Sequence, residues 1–122
     1  MLGIFMPYND NEDLVVKHYE EPLYKTIGED VGGFIEIVRV KLGDRKNVVI
    51  VVNDEGVLQG LPLNDVASML YGSPIFGNAV LMYEGFNEDG EPDIIGIKEE
   101  DVLPLLLDMF AIAINSEEIE ND

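Results

Sequence analysis

Phe34-Ile35-Glu36-Ile37-Val38-Arg39-Val40 alternates around Glu36, and downstream of it stands the β-branched run Val48-Val49-Ile50-Val51-Val52. β-branched and aromatic residues suit a pleated, half-buried surface, so both segments are predicted strands. Asn53-Asp54-Glu55-Gly56 supplies turn chemistry after the second, and Val57-Leu58-Gln59 resumes the strand pattern. The stretch therefore predicts an antiparallel meander.

Toward the N-terminus, Leu2 to Met6 and Leu14 to Tyr19 read as two strands joined by a hairpin-like loop around Asn9 to Asp13. Leu23, Tyr24, Ile27 and Val31 follow at helical spacing, and Gly32-Gly33 marks the stop, which predicts a short helix from Pro22 to Asp30. Toward the C-terminus, Asn64 or Asp65 caps a second short helix running to about Leu70. Ile75 to Tyr83 is a strand candidate, Asn87 to Pro92 a loop, and Asp93 to Ile97 a segment that pairs next. The last element opens on Glu99-Glu100-Asp101, where a helix N-terminus favours negative charge, with Pro104 confined to the first turn. From Val102 to Ile114 it is apolar on nearly every face. Such a helix needs cover all round. Two sources are open: a core position under a curved sheet, or a homodimer through the Val102–Ile114 helix. The expected fold is α+β, an antiparallel sheet with two short helices and one long apolar C-terminal helix. Residues 1–116 form one domain, followed by an acidic tail over 117–122.

The totals agree with a single domain. The chain has 122 residues, 47% of them apolar, enough for one packed core. No apolar run reaches the roughly 20 residues that span a bilayer, and the first residues lack a basic n-region. With no cysteine, disulfides and thiolate chemistry are out. The expected setting is cytoplasmic, without membrane contact. Twenty-five carboxylates against seven Lys and Arg give a net charge of −18. Residues 1–83 carry −6 of it; residues 84–122 carry −12, with Lys98 the only base there. Direct binding of nucleic acid is disfavoured, because that requires a basic surface to displace counterions.

Residues for chemistry are sparse. The hydroxyl nucleophiles are Ser68, Ser73, Ser116 and Thr26, none in a Gly-x-Ser-x-Gly turn, and the lone His18 lies in a predicted strand. Zinc would need Cys or several His. Asn87, Asp89 and Gly90 imitate part of an EF-hand loop, but Gly85 and Gly96 would stand at its first and twelfth positions, where carboxylates are needed. No metal or cofactor is expected, and an enzyme is the least supported class.

Three segments together carry a resemblance. Val31-Gly32-Gly33-Phe34-Ile35-Glu36-Ile37-Val38, Val49 to Gly56 and Gly60-Leu61-Pro62-Leu63-Asn64, with Ile75 to Val80 later, resemble a small domain-of-unknown-function family. It is typical of phages, plasmids and conjugative elements. The match runs over roughly residues 23–98. It implies a mobile-element accessory protein and no particular activity.

Two functions are expected from different classes. In the first, a non-enzymatic binding protein engages a basic host protein, of nucleic-acid processing or defence, through Glu84, Glu88, Asp89, Glu91, Asp93, Glu99, Glu100 and Asp101. Such an array can imitate a phosphate backbone. In the second, a small-ligand or nucleotide module uses the Asn53–Gly56 and Gly60–Asn64 turns, with Arg39, Asn53, Gly56, Leu61, Pro62 and Asn64 as its site. The bases Arg39, Lys41, Arg45 and Lys46 favour this second reading.

Overall fold

A computed structural model of the chain describes residues 1–9 and 11–120, with side chains through residue 114. The strands are β1 (Leu2–Met6), β2 (Val15–His18), β3 (Ile35–Arg39), β4 (Val48–Asn53), β5 (Ala79–Phe86) and β6 (Pro92–Ile95). The helices are α1 (Leu23–Val31), α2 (Asp65–Tyr71) and α3 (Val102–Glu120), the last entered through a 3-10 turn at Glu99–Asp101. All strand pairs are antiparallel, in the order β2-β1-β5-β4-β3, with β6 also on β5.

β5 is long enough to hold two partners along one side. β1 pairs with its first half (Ile4 opposite Leu81) and β6 with its second (Tyr83 opposite Ile95). The two short strands meet end to end where Ile97 N–H donates to the Leu2 carbonyl at 2.9 Å. β4 is buried at every position because it lies inside the sheet and both of its faces are covered. On one face Ile4, Ile50 and Leu81 pack with Ala67 and Leu70 of α2 and Leu105 and Met109 of α3. On the other, Val49, Val51, Val80 and Met82 pack with Ile27 and Val31 of α1.

The α+β class, the antiparallel sheet and the three helices are as expected. α1 ends at Gly32, whose φ of 86° is open to glycine without strain. Three details differ. Val57-Leu58-Gln59 is no strand: Gln59 N–H bonds back to Glu55 C=O and Leu61 N–H to Gly56 C=O, so the chain coils into turns. Val57 and Leu58 face water there, and β4 takes β5 as its next neighbour. β5 also starts later than Ile75, because Ile75 is held by the Ser68 hydroxyl and Gly77 turns at φ 90°. Finally, α3 is not enclosed. Leu105 and Met109 reach the core while Leu103, Leu107, Phe110 and Ile114 are exposed. No helix among the described residues is long and apolar enough to cross a membrane. The side chains of the acidic tail lie outside the described residues.

Two buried phenols tie elements together. Tyr19, after β2, donates to Asp30 of α1 at 2.7 Å, and Tyr83 of β5 donates to Asp101 before α3 at 2.8 Å. Burial, and then the adjacent carboxylate, pushes the Tyr83 hydroxyl up to about 12 and raises Tyr19 further. Above the ordinary value of 10.0 the unfolded chain releases these protons while the folded chain keeps them. This part of the stability is therefore complete below pH 10.0 and is lost as pH climbs toward about 12. Each group lowers the unfolding free energy by at most about 1.4 kcal/mol per pH unit in that window. Denaturant titrations with phenolate absorbance should show stability falling while two tyrosines stay protonated in the folded chain.

Candidate functional site

α1 is too short to cover its face of the sheet. Beyond its N-terminal end an open trough of about 830 Å³ remains, with Leu23, Ile35, Ile37 and Ile94 among the residues lining it. Alternation explains the lining. Ile35, Ile37 and Arg39 are every second residue of β3, and Glu84 and Ile94 lie opposite each other on β5 and β6. One ion pair lies across the trough: Arg39 Nε donates to Glu84 Oε2 at 2.9 Å and Nη2 to Oε1 at 2.6 Å. This bidentate fork spans β4 and holds the guanidinium more firmly protonated. A neighbouring groove of about 640 Å³ runs along α1 past Gly32 and Gly33 to Asn53 and Gln59.

The residues expected to bind a ligand are mostly separated. Arg39 lines the first trough; Asn53 lines the second groove and, with Gly56 and Phe76, a third hollow of about 240 Å³. Asn53 and Gly56 alone thus come together, and Leu61, Pro62 and Asn64 line none of these. Both asparagines serve the fold. Asn53 Nδ2 donates to Val31 C=O (3.0 Å) and Gln59 Oε1 (3.2 Å), while its Oδ1 accepts from Glu55 N–H. Asn64, fully buried, donates to the carbonyls of Met6 and Gly77, both at 2.9 Å, and accepts from Ala67 N–H as the α2 cap. Of the four bases, Lys41, Arg45 and Lys46 line one open hollow of about 420 Å³, where Arg45 also bonds Asp108 of α3 at 3.1 Å, while Arg39 turns to the opposite face.

The eight candidate acids also divide. Glu84 lies on the α1 side in its ion pair, and Glu88, Asp89 and Glu91 occupy the exposed β5–β6 loop. Asn87 Oδ1 staples that loop by accepting from the N–H groups of Asp89 and Glu91. Asp93 bonds Ile94 N–H at the start of β6; Glu99 and Glu100 are exposed, and Asp101 accepts from Tyr83. Composition and spacing missed the trough and its ion pair. The alternation of Ile35, Ile37 and Arg39 was the available signal, but which strand carried the facing carboxylate depends on topology.

These features define an α+β domain built on one antiparallel sheet, with helices on both faces and an open trough beside an edge strand. The chain belongs to the family described as "Domain of unknown function (DUF3846)", whose model matches residues 5–111. No curated protein matches it. Among solved structures it is similar to one titled "Crystal structure of small RNA methyltransferase HEN1", at 16% identity and a TM-score of 0.56. That likeness covers 92% of this chain and 16% of the other, and it concerns the fold alone.

Proposed function

We propose that this chain is a non-enzymatic, cytoplasmic binding protein of a mobile genetic element that engages a basic host protein through its carboxylates. The observation that carries this reading is the lack of internal compensation. Asp30, Glu84 and Asp108 are held in ion pairs by Lys17, Arg39 and Arg45, while the chain as a whole sets 25 carboxylates against seven Lys and Arg. Glu88, Asp89, Glu91, Asp93, Glu99 and Glu100 are exposed and within salt-bridge distance of no Lys or Arg there. Such a surface steers and selects a cationic partner. The mobile-element assignment is supported by the resemblance carried by the Gly32–Gly33, Asn53–Gly56 and Gly60–Asn64 segments. A nucleotide site is less well supported, because Asn53 and Asn64 spend their amide groups inside the chain and Arg39, though exposed, is neutralised by Glu84. RNA is a poor ligand for a chain of −18, whatever the methyltransferase with the similar fold binds.

The immobilised chain should capture a DNA-processing or defence protein from host lysate at about 50 mM salt and lose it by about 300 mM, where charges are screened over a shorter distance. Changing those six acids to Gln or Asn should weaken the purified pair by about tenfold or more. Capture indifferent to both would sink the reading.

Self-association through α3 is a separate part of the proposal. Leu103, Leu107, Phe110 and Ile114 form an exposed stripe whose alternating four- and three-residue steps suit a helix pair.

A further inference from the structure

β3 ends the sheet, and among the described residues no strand pairs with its outer side. Asp54 N–H donates to Phe34 C=O (2.8 Å) and Val40 N–H to Val48 C=O (3.2 Å). With the β3–β4 register, these bonds assign Phe34, Glu36, Val38 and Val40 to the ladder with β4. The N–H and C=O groups of Ile35, Ile37 and Arg39 therefore point to the open edge. Edges are ordinarily blunted by charged side chains, Lys above all, by Pro or by a bulge. β3 has no Pro or Lys and pairs in continuous register; its charges are Glu36 and Arg39, the latter drawn to Glu84 across the trough, whereas β2 at the opposite edge carries Lys17 and His18.

Both faces flanking β3 are hollowed. Ile35, Ile37 and Arg39 line the 830 Å³ trough, and Glu36 and Val38 line the hollow of about 240 Å³ on the α2 side. A strand laid along β3 would send alternate side chains into each. Acids frame both: Glu21, Glu84 and Asp93 around the trough, Glu36, Asp54 and Glu55 around the hollow. The one base there, Arg39, is already held by Glu84.

We infer that β3 takes up an extended segment of the partner by strand addition, and that this segment alternates apolar residues with Lys or Arg. The inference rests on the basic-partner reading and adds the location and conformation of binding. Backbone bonds to Ile35, Ile37 and Arg39 supply affinity, while the apolar floors and the carboxylates select side chains. A second copy of the chain fits less well, since it would bring another −18 to the same edge.

The probe is a synthetic peptide of alternating Val and Lys, roughly ten residues long, titrated calorimetrically with amide exchange as a second readout. Binding should protect the amides of Ile35, Ile37 and Arg39. N-methylating every second peptide nitrogen on the pairing edge should weaken binding about tenfold or more, because each lost backbone bond leaves a carbonyl unpaired. Ile37→Pro should do the same, since its N–H faces outward and edge strands tolerate Pro. If that variant does not fold, the methylated peptide still decides, using the unaltered chain. Equal, salt-sensitive binding of both peptides would leave the carboxylate reading standing and overturn strand addition. Absence of binding by either at low salt would remove both. Dimerisation of the chain that Ile37→Pro abolishes would give the edge to a second copy and overturn the partner.

Discussion

Replacing Asn64 with alanine is expected to lower the unfolding free energy by about 3 kcal/mol, taking about 1 for the lost helix cap and the rest for buried carbonyls left without a donor. Asn64 is completely buried, and its amide joins three parts of the chain: the end of β1 at Met6, the turn at Gly77 and the first turn of α2. Both donors and the acceptor are used, so the loss is felt at each. Asn64→Asp tests the donors separately. It keeps the cap acceptor but points a carboxylate at two carbonyl oxygens. At pH 7 it should be at least as harmful as alanine and should recover as the pH falls, because a protonated acid can again donate to one of them. Urea titrations of the three proteins measure this. An alanine variant within about 0.5 kcal/mol of the parent, the range of ordinary surface changes, would return Asn64 to the list of ligand-binding candidates.

Leu105→Ala should cost about 3 kcal/mol and Leu107→Ala less than about 0.5 kcal/mol in monomer stability, by removal of a buried and of a solvated side chain. The two leucines lie on one helix with similar neighbours in sequence, yet Leu105 is 0% exposed and Leu107 59%. Leu105 meets the sheet face formed by Ile4, Ile50 and Leu81, so its truncation leaves a cavity where α3 docks. Leu107 belongs to the exposed stripe. If that stripe joins two copies, Leu107→Glu should shift a concentration-dependent mass toward the monomer in light scattering while leaving urea stability of the monomer nearly unchanged. A chain that is monomeric before substitution at tens of micromolar would dismiss self-association, tight dimers of this kind having Kd values of roughly micromolar or below.

Much of the fold was legible because local chemistry and tertiary structure agree. Gly32 ends α1 and Asn64 caps α2, each at a position where the residue type suits the backbone. The β-branched run of β4 pairs on both sides, as its composition suggests. Val57-Leu58-Gln59 misled because its apolar pair is spent on solvent, and strand composition alone does not reveal burial. α3 misled in another way. Its apolar residues encircle it, so no periodic signal distinguishes the side that meets the sheet from the side that does not. Candidate sites were harder still. Asn53, Asn64 and Arg39 look like ligand-binding groups in sequence because their partners, Val31, Met6 and Glu84, lie 22, 58 and 45 residues away.

The end-to-end arrangement of β1 and β6 along β5 bears on how the chain is made. A ribosome releases β1 first, yet the strand it must join, β5, follows some seventy residues later, as the Phe5–Val80 pairing shows. The far half of β5 then waits for β6, and the seam closes only once Ile97 reaches Leu2. Until that point the nascent polypeptide exposes bare β5 backbone, and the sheet face that meets Leu105 and Met109 stays partly uncovered until α3 follows. Slow translation beyond Phe86 would prolong this vulnerable interval, and cellular holdases would have most to bind during it.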